Sequence, residues 1–119
     1  MKLPGPDHPI TITPVSDRVV VRFAGAVVAD TRHALELRES TYPAVLYIPR
    51  GDAVMAHFAP TAHKTHCPYK GDASYFDLAA AGTRAANAVW SYEAPYPAMA
   101  AIEDHLAFYP QQVSIERGA

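Results

Sequence analysis

Arg18-Val19-Val20-Val21-Arg22-Phe23-Ala24-Gly25-Ala26-Val27-Val28-Ala29-Asp30 is the stretch that decides the fold. Two β-branched runs flank Ala24-Gly25, and branching at Cβ suits the pleated surface of a strand better than the crowded turns of a helix. A small residue followed by Gly between two such runs reads as a hairpin. The fold therefore begins with antiparallel strands.

On the N-terminal side, Ile10-Thr11-Ile12-Thr13 alternates as a further strand. Residues 1–9 contain Pro4, Pro6 and Pro9, which cannot donate to a ladder, and so predict an extended arm ahead of a single β-rich domain over residues 10–119. On the C-terminal side, Ala34-Leu35-Glu36-Leu37-Arg38-Glu39 is built from good helix formers, but its period of two predicts a strand. The continuous apolar run Ala44-Val45-Leu46-Tyr47-Ile48 predicts a central strand buried on both faces. Val54 to Phe58 is expected to return antiparallel to it, and Pro60 to Asp72 to form a long loop.

Ser74-Tyr75-Phe76-Asp77-Leu78 and Ala88-Val89-Trp90-Ser91-Tyr92 pair as a hairpin about Gly82, although the alanines between Ala79 and Ala86 would also suit a helix. Pro97 leads into a short helix over Ala98–Asp104, with Met99 and Ile102 on one face. His105–Tyr109 and Val113–Ile115 close the domain as strands. With eight or nine strands and one helix, and no strand-helix-strand alternation, the fold class is all-β and mainly antiparallel, in packed sheets.

The 119 residues support one core. Half are hydrophobic, 18% are charged and the formal net charge is −2, which argues against disorder and against nucleic acid or an anionic membrane as partner. A lone cysteine excludes an intrachain disulfide framework and fits a reducing, cytoplasmic setting. The N-terminal residues lack the apolar core of a signal peptide, and no run of 18 apolar residues predicts a membrane span.

Chemistry concentrates in Thr65-His66-Cys67-Pro68-Tyr69-Lys70-Gly71. Cys67 is a candidate nucleophile if a neighbouring base or cation favours its thiolate, and otherwise a small residue supporting a loop. His57, His63 and His66 stand near it in sequence, yet one cysteine makes no paired zinc knuckle, so neither a metal nor another cofactor is expected. Lys70 suits an anion or a carbonyl, or else an ion pair with Glu39 or Asp72. Glu39, at the end of its predicted strand, is the candidate general acid or base. Glu39, Lys70 and Cys67 are thus the candidate catalytic residues. His66, Tyr69, Tyr42, Tyr47, Tyr75, Trp90 and Tyr92 are the candidate ligand-binding residues, because aromatic rings alternating with polar residues can wall a pocket and offer phenol hydroxyls.

The heptad from Thr65 to Gly71, together with Arg18–Val21, Val28-Ala29-Asp30, Glu39 before Tyr42-Pro43, Tyr47 with Pro49, Ser74-Tyr75, Ala88–Tyr92 and Phe108-Tyr109-Pro110, resembles the small bacterial family known as domain of unknown function 427. The label of that family also suggests a nucleotidyltransferase. The resemblance implies a compact fold similar to the tent-like pair of antiparallel sheets in Mss4-like proteins, and no established reaction. This chain lacks the paired cysteine knuckles of Mss4-like zinc domains, and it also lacks the closely spaced carboxylates and Gly-Ser loop of a metal-dependent nucleotidyltransferase. The expected function is small-molecule binding in a cleft formed by the His66–Gly71 loop, Glu39 and the aromatic strands. The alternative is an interaction module or homodimer without catalysis, its aromatics forming the interface.

Overall fold

The computed structural model describes all residues, Met1–Ala119. Ten strands follow in order: β1 (Ile10–Pro14), β2 (Val19–Phe23), β3 (Ala26–Thr31), β4 (Leu35–Glu39), β5 (Val45–Tyr47), β6 (Phe58–Cys67), β7 (Gly71–Ala80), β8 (Thr83–Ser91), β9 (Ala107–Phe108) and β10 (Ser114–Arg117). Every strand pairing is antiparallel. The all-β expectation holds, but three sheets take the place of two, with orders β1-β4-β5, β10-β2-β3 and β6-β7-β8-β9.

The β2–β3 hairpin turns at Ala24 and Gly25, whose φ values of 50° and 80° give the left-handed pair that matches strand twist in a two-residue turn. Ala81 and Gly82 repeat this geometry between β7 and β8. The alanine-rich segment after Ala79 is therefore strand rather than helix, because ladder bonds and burial outweigh intrinsic propensity there.

The four-stranded sheet buries a different cluster on each face. Phe76 and Leu78 of β7 join Val19, Val21 and Phe23 of β2 in the larger core, while Ala73 and Tyr75 of the same strand join Leu37 of β4 and Tyr47 of β5 in the smaller one. Alternation along β7 sends successive side chains to opposite faces, so this strand serves both cores. β5 and the residue after it do the same, with Val45 and Tyr47 on the smaller core and Leu46 and Ile48 on the larger. β5 is nevertheless an edge strand rather than a central one. A reciprocal bridge between Ile48 and Leu106, both hydrogen bonds at 2.8 Å, ties its end to the segment entering β9.

Two local expectations need correction. The segment from Pro60 to Asp72 is no loop: β6 runs through Cys67, and only Pro68-Tyr69-Lys70 turn before Gly71 opens β7. β6 is an edge strand exposed along most of its length, and such strands carry proline and lysine, which hides the apolar alternation that marks a strand. Val54–Phe58 is not a returning strand either, since Met55–His57 forms a 3₁₀ turn and Phe58 already belongs to β6.

The predicted helix is a kinked 3₁₀ segment over Pro97–Ile102, and Arg50–Asp52 forms another 3₁₀ turn. The backbone leaves helical geometry at Met99, with φ −111° and ψ 18°, which breaks the segment, but Met99 and Ile102 are buried together as their spacing requires. No helix is long and apolar enough to cross a membrane. The N-terminal residues turn back at Pro6-Asp7, closed by a Gly5–His8 bridge, and the Lys2 N–H donates to the Pro68 carbonyl at 2.7 Å.

Candidate functional site

Period-two alternation in four strands aims side chains at one point. Leu37 and Glu39 share a face of β4, Val45 and Tyr47 a face of β5, and Tyr75 of β7 stands opposite Trp90 of β8, with Tyr92 two residues beyond Trp90. With Tyr42 and Pro43 from the β4–β5 connection, Tyr109 after β9, and Lys70 from the β6–β7 turn, they line a cavity of ≈ 240 Å³.

Lys70 reaches this cavity because its turn is tightly held. Pro68 presets the first turn residue, and Gly71 takes a φ of 110°, a backbone region that residues with a Cβ adopt only under strain. The Tyr96 N–H donates to the Lys70 carbonyl at 3.0 Å and fixes the turn from the other side. The Lys70 side chain is only 9% exposed, and its Nζ donates to Glu39 Oε1 at 2.5 Å. It also lies 3.5 Å from Cys67 Sγ and 5.9 Å from the Tyr92 ring centroid. The second Glu39 oxygen, Oε2, meets His8 Nε2 at 2.7 Å, and His8 stacks on Tyr69 with ring centroids 4.0 Å apart.

Burial alone would raise the Glu39 pKa, but hydrogen bonds from Lys70 and His8 outweigh it and hold the carboxyl below its ordinary value. The phenols move the other way. Burial pushes Tyr47 and Tyr92 well above the ordinary tyrosine value, and the proximity of Glu39, Cys67 and Tyr75 adds repulsion against a second negative charge. Tyr109 is pushed up to about 12 by burial and by its hydrogen bond with Tyr75. The phenols are therefore neutral around an ionised carboxylate. Trp90 Nε1 donates to Tyr47 Oη at 3.3 Å, Tyr75 Oη lies 3.0 Å from Thr65 Oγ1 and 3.4 Å from Tyr109 Oη, and the Trp90 and Tyr109 rings pack at 4.6 Å.

Of the residues singled out in the sequence, Glu39, Lys70, Tyr42, Tyr47, Tyr75, Trp90 and Tyr92 share the cavity. Cys67 stands just behind it against Lys70. His66 is outside, exposed and paired with Asp72 across the hairpin at 2.7 Å. Tyr69 faces the N-terminal residues, where it lines a separate hollow with Lys2, Gly5 and His8. No three His, Cys, Asp or Glu side chains converge as metal donors. Sequence reasoning missed His8, Tyr109, Leu37, Pro43 and Val45. Alternation from buried Ala107 would have found Tyr109, and alternation about Glu39 would have found Leu37, but nothing in the sequence connects His8 to a carboxylate 31 residues away.

An apolar groove of ≈ 510 Å³ adjoins the cavity and shares Tyr42, Pro43, Val45, Trp90 and Tyr109 with it. A family model described as a domain of unknown function (DUF427) matches residues 11–118. No curated protein matches the chain.

Proposed function

The chain belongs to the domain of unknown function 427 family, and from that premise we propose that it binds a small molecule in the cleft above Glu39 and Lys70. One observation carries the reading: a largely buried ion pair forms the floor of a cavity into which three strands and their flanking segments aim aromatic side chains. Withdrawing two charges from water costs several kcal/mol per ion, and apolar residues of similar volume commonly stabilise a fold as well or better. A paired charge with neutral phenols around it in a concave, mostly apolar site is the composition of a binding pocket.

In this reading Tyr42, Pro43, Trp90 and Tyr109 hold the ligand's apolar body, which extends into the adjoining groove, while its polar end meets Lys70 and the phenols. Glu39 is ionised at neutral pH, so any proton transfer begins with it as acceptor. Cys67 supports the Lys70 ammonium from behind rather than attacking a ligand.

Trp90 is the only tryptophan and lines the cleft, so tryptophan emission reports on it. A metabolite and fragment screen should find compounds that change Trp90 emission and raise the melting temperature. A ligand at 100 times its Kd adds about 2.7 kcal/mol of stability. The competing interaction module predicts no such compound, and instead Trp90 emission that changes on dilution as an assembly dissociates. That outcome would replace the proposal.

A further inference from the structure

Resting on the binding reading above, the geometry points to the chemical class of the ligand: a small molecule presenting a hydrogen-bond-accepting oxygen, carboxylate or carbonyl, to the Tyr92 and Tyr47 hydroxyls and the Lys70 ammonium. Unspent donors gather at the cavity floor. Tyr92 is 7% exposed and its hydroxyl has no hydrogen-bond partner in the protein. No buried side-chain nitrogen or oxygen is both enclosed and unpartnered, so Tyr92 Oη opens on the cavity that its residue lines. Tyr47 Oη accepts from Trp90 Nε1, which leaves its own O–H unspent. Lys70 has three N–H groups, of which Glu39 takes one and Cys67 Sγ accepts weakly from a second.

The one anionic acceptor at the floor is already engaged. One Glu39 oxygen is bound to Lys70 and the other to His8, and no other carboxylate lines the cavity. A ligand that brings a cation would meet the Lys70 ammonium and compete with two existing partners of Glu39. A ligand that brings an acceptor oxygen satisfies three donors without breaking any bond present. Sites built around unpaired donors discriminate strongly, because the wrong ligand leaves those donors buried and unsatisfied.

The test uses four probes that share a phenyl ring: benzoate, acetophenone, benzylamine and toluene. Each is titrated into the full chain and followed by Trp90 fluorescence and calorimetry. Benzoate or acetophenone should bind at least tenfold more tightly than toluene or benzylamine. Tyr92→Phe, which removes a hydroxyl without a protein partner, should leave the melting temperature nearly unchanged and weaken the preferred probe about tenfold. Tyr47→Phe gives a second reading by calorimetry, with the same direction expected. Benzylamine binding as tightly as benzoate and acetophenone, or the preferred probe indifferent to both substitutions, would overturn the donor assignment. Toluene bound in the cleft without preference for an acceptor would overturn it while leaving the binding reading intact. If none of the four probes and no screened compound perturbed Trp90, both would fall.

Discussion

Replacing Glu39 by Gln keeps the shape of the side chain and an oxygen facing Lys70 but removes the charge that compensates the ammonium. The Lys70 side chain is 9% exposed and that of Glu39 16%, so little water stands ready to take over. Breaking a fully buried pair costs about 3–5 kcal/mol. Here the cavity admits some solvent and the amide oxygen still accepts a hydrogen bond, which brings the expected loss to about 2–3 kcal/mol. At about 3–5 °C per kcal/mol for a domain of this size, the melting temperature should fall by about 6–15 °C. Lys70→Met should cost less, about 1–2 kcal/mol, because Glu39 keeps His8 and some solvent access. The double variant should recover much of the loss by joining a neutral amide to an apolar stem, giving a coupling of at least about 1.5 kcal/mol in urea denaturation. Strictly additive losses, or a Glu39→Gln variant within about 0.5 kcal/mol of the native chain, would refute the view that the two side chains form one buried electrostatic unit.

Acid stability should show the same pair. The folded-state pKa of Glu39 lies below its unfolded value, so its contribution is complete above about pH 4.3 and is lost as pH falls through the lower folded value. The stability difference between the native chain and Glu39→Gln should accordingly shrink below about pH 4; a difference constant with pH would contradict this. Gly71→Ala should cost about 1–2 kcal/mol and weaken ligand binding, because a Cβ is strained at a φ of 110° although its nearest neighbours would be 3.6 Å away; an unchanged melting temperature would count against the turn as the device that positions Lys70. Leu78→Ala, at a fully buried site in the larger core, should cost about 3–5 kcal/mol by chemical denaturation, and under about 1 kcal/mol would place the core elsewhere.

The strands that wall the cleft were legible because their signal is local. Leu35–Glu39 and the Tyr75 and Trp90 segments alternate or carry β-favouring side chains, and alternation alone puts Glu39 beside Leu37 and Tyr92 beside Trp90. β6 was illegible for the opposite reason. An edge strand exposed on both faces has no apolar period to display, so a ten-residue strand reads as a polar loop. Lys70 could be paired with Glu39 or Asp72 on sequence grounds, and only the three-residue turn between β6 and β7 decides for Glu39. It sends Asp72 out toward His66 and Lys70 inward. The His8 contact depends on a turn at Pro6-Asp7 that brings the N-terminal residues back over the site, a long-range event for which three prolines suggest only an extended path. The number of sheets was equally hidden, since strand order is set by which faces of β7 are covered rather than by any single strand's composition.

Whether the cleft over Glu39 and Lys70 is a ligand site is decided by mapping backbone amide shifts in heteronuclear NMR during a benzoate titration. Saturable changes should be confined to the cavity lining, around Leu37–Tyr47, Lys70–Tyr75, Trp90–Tyr92 and Tyr109. Saturable changes centred instead on the exposed edge of β6 or on the Tyr69 hollow, with the cavity residues still, would contradict a ligand site in the cleft.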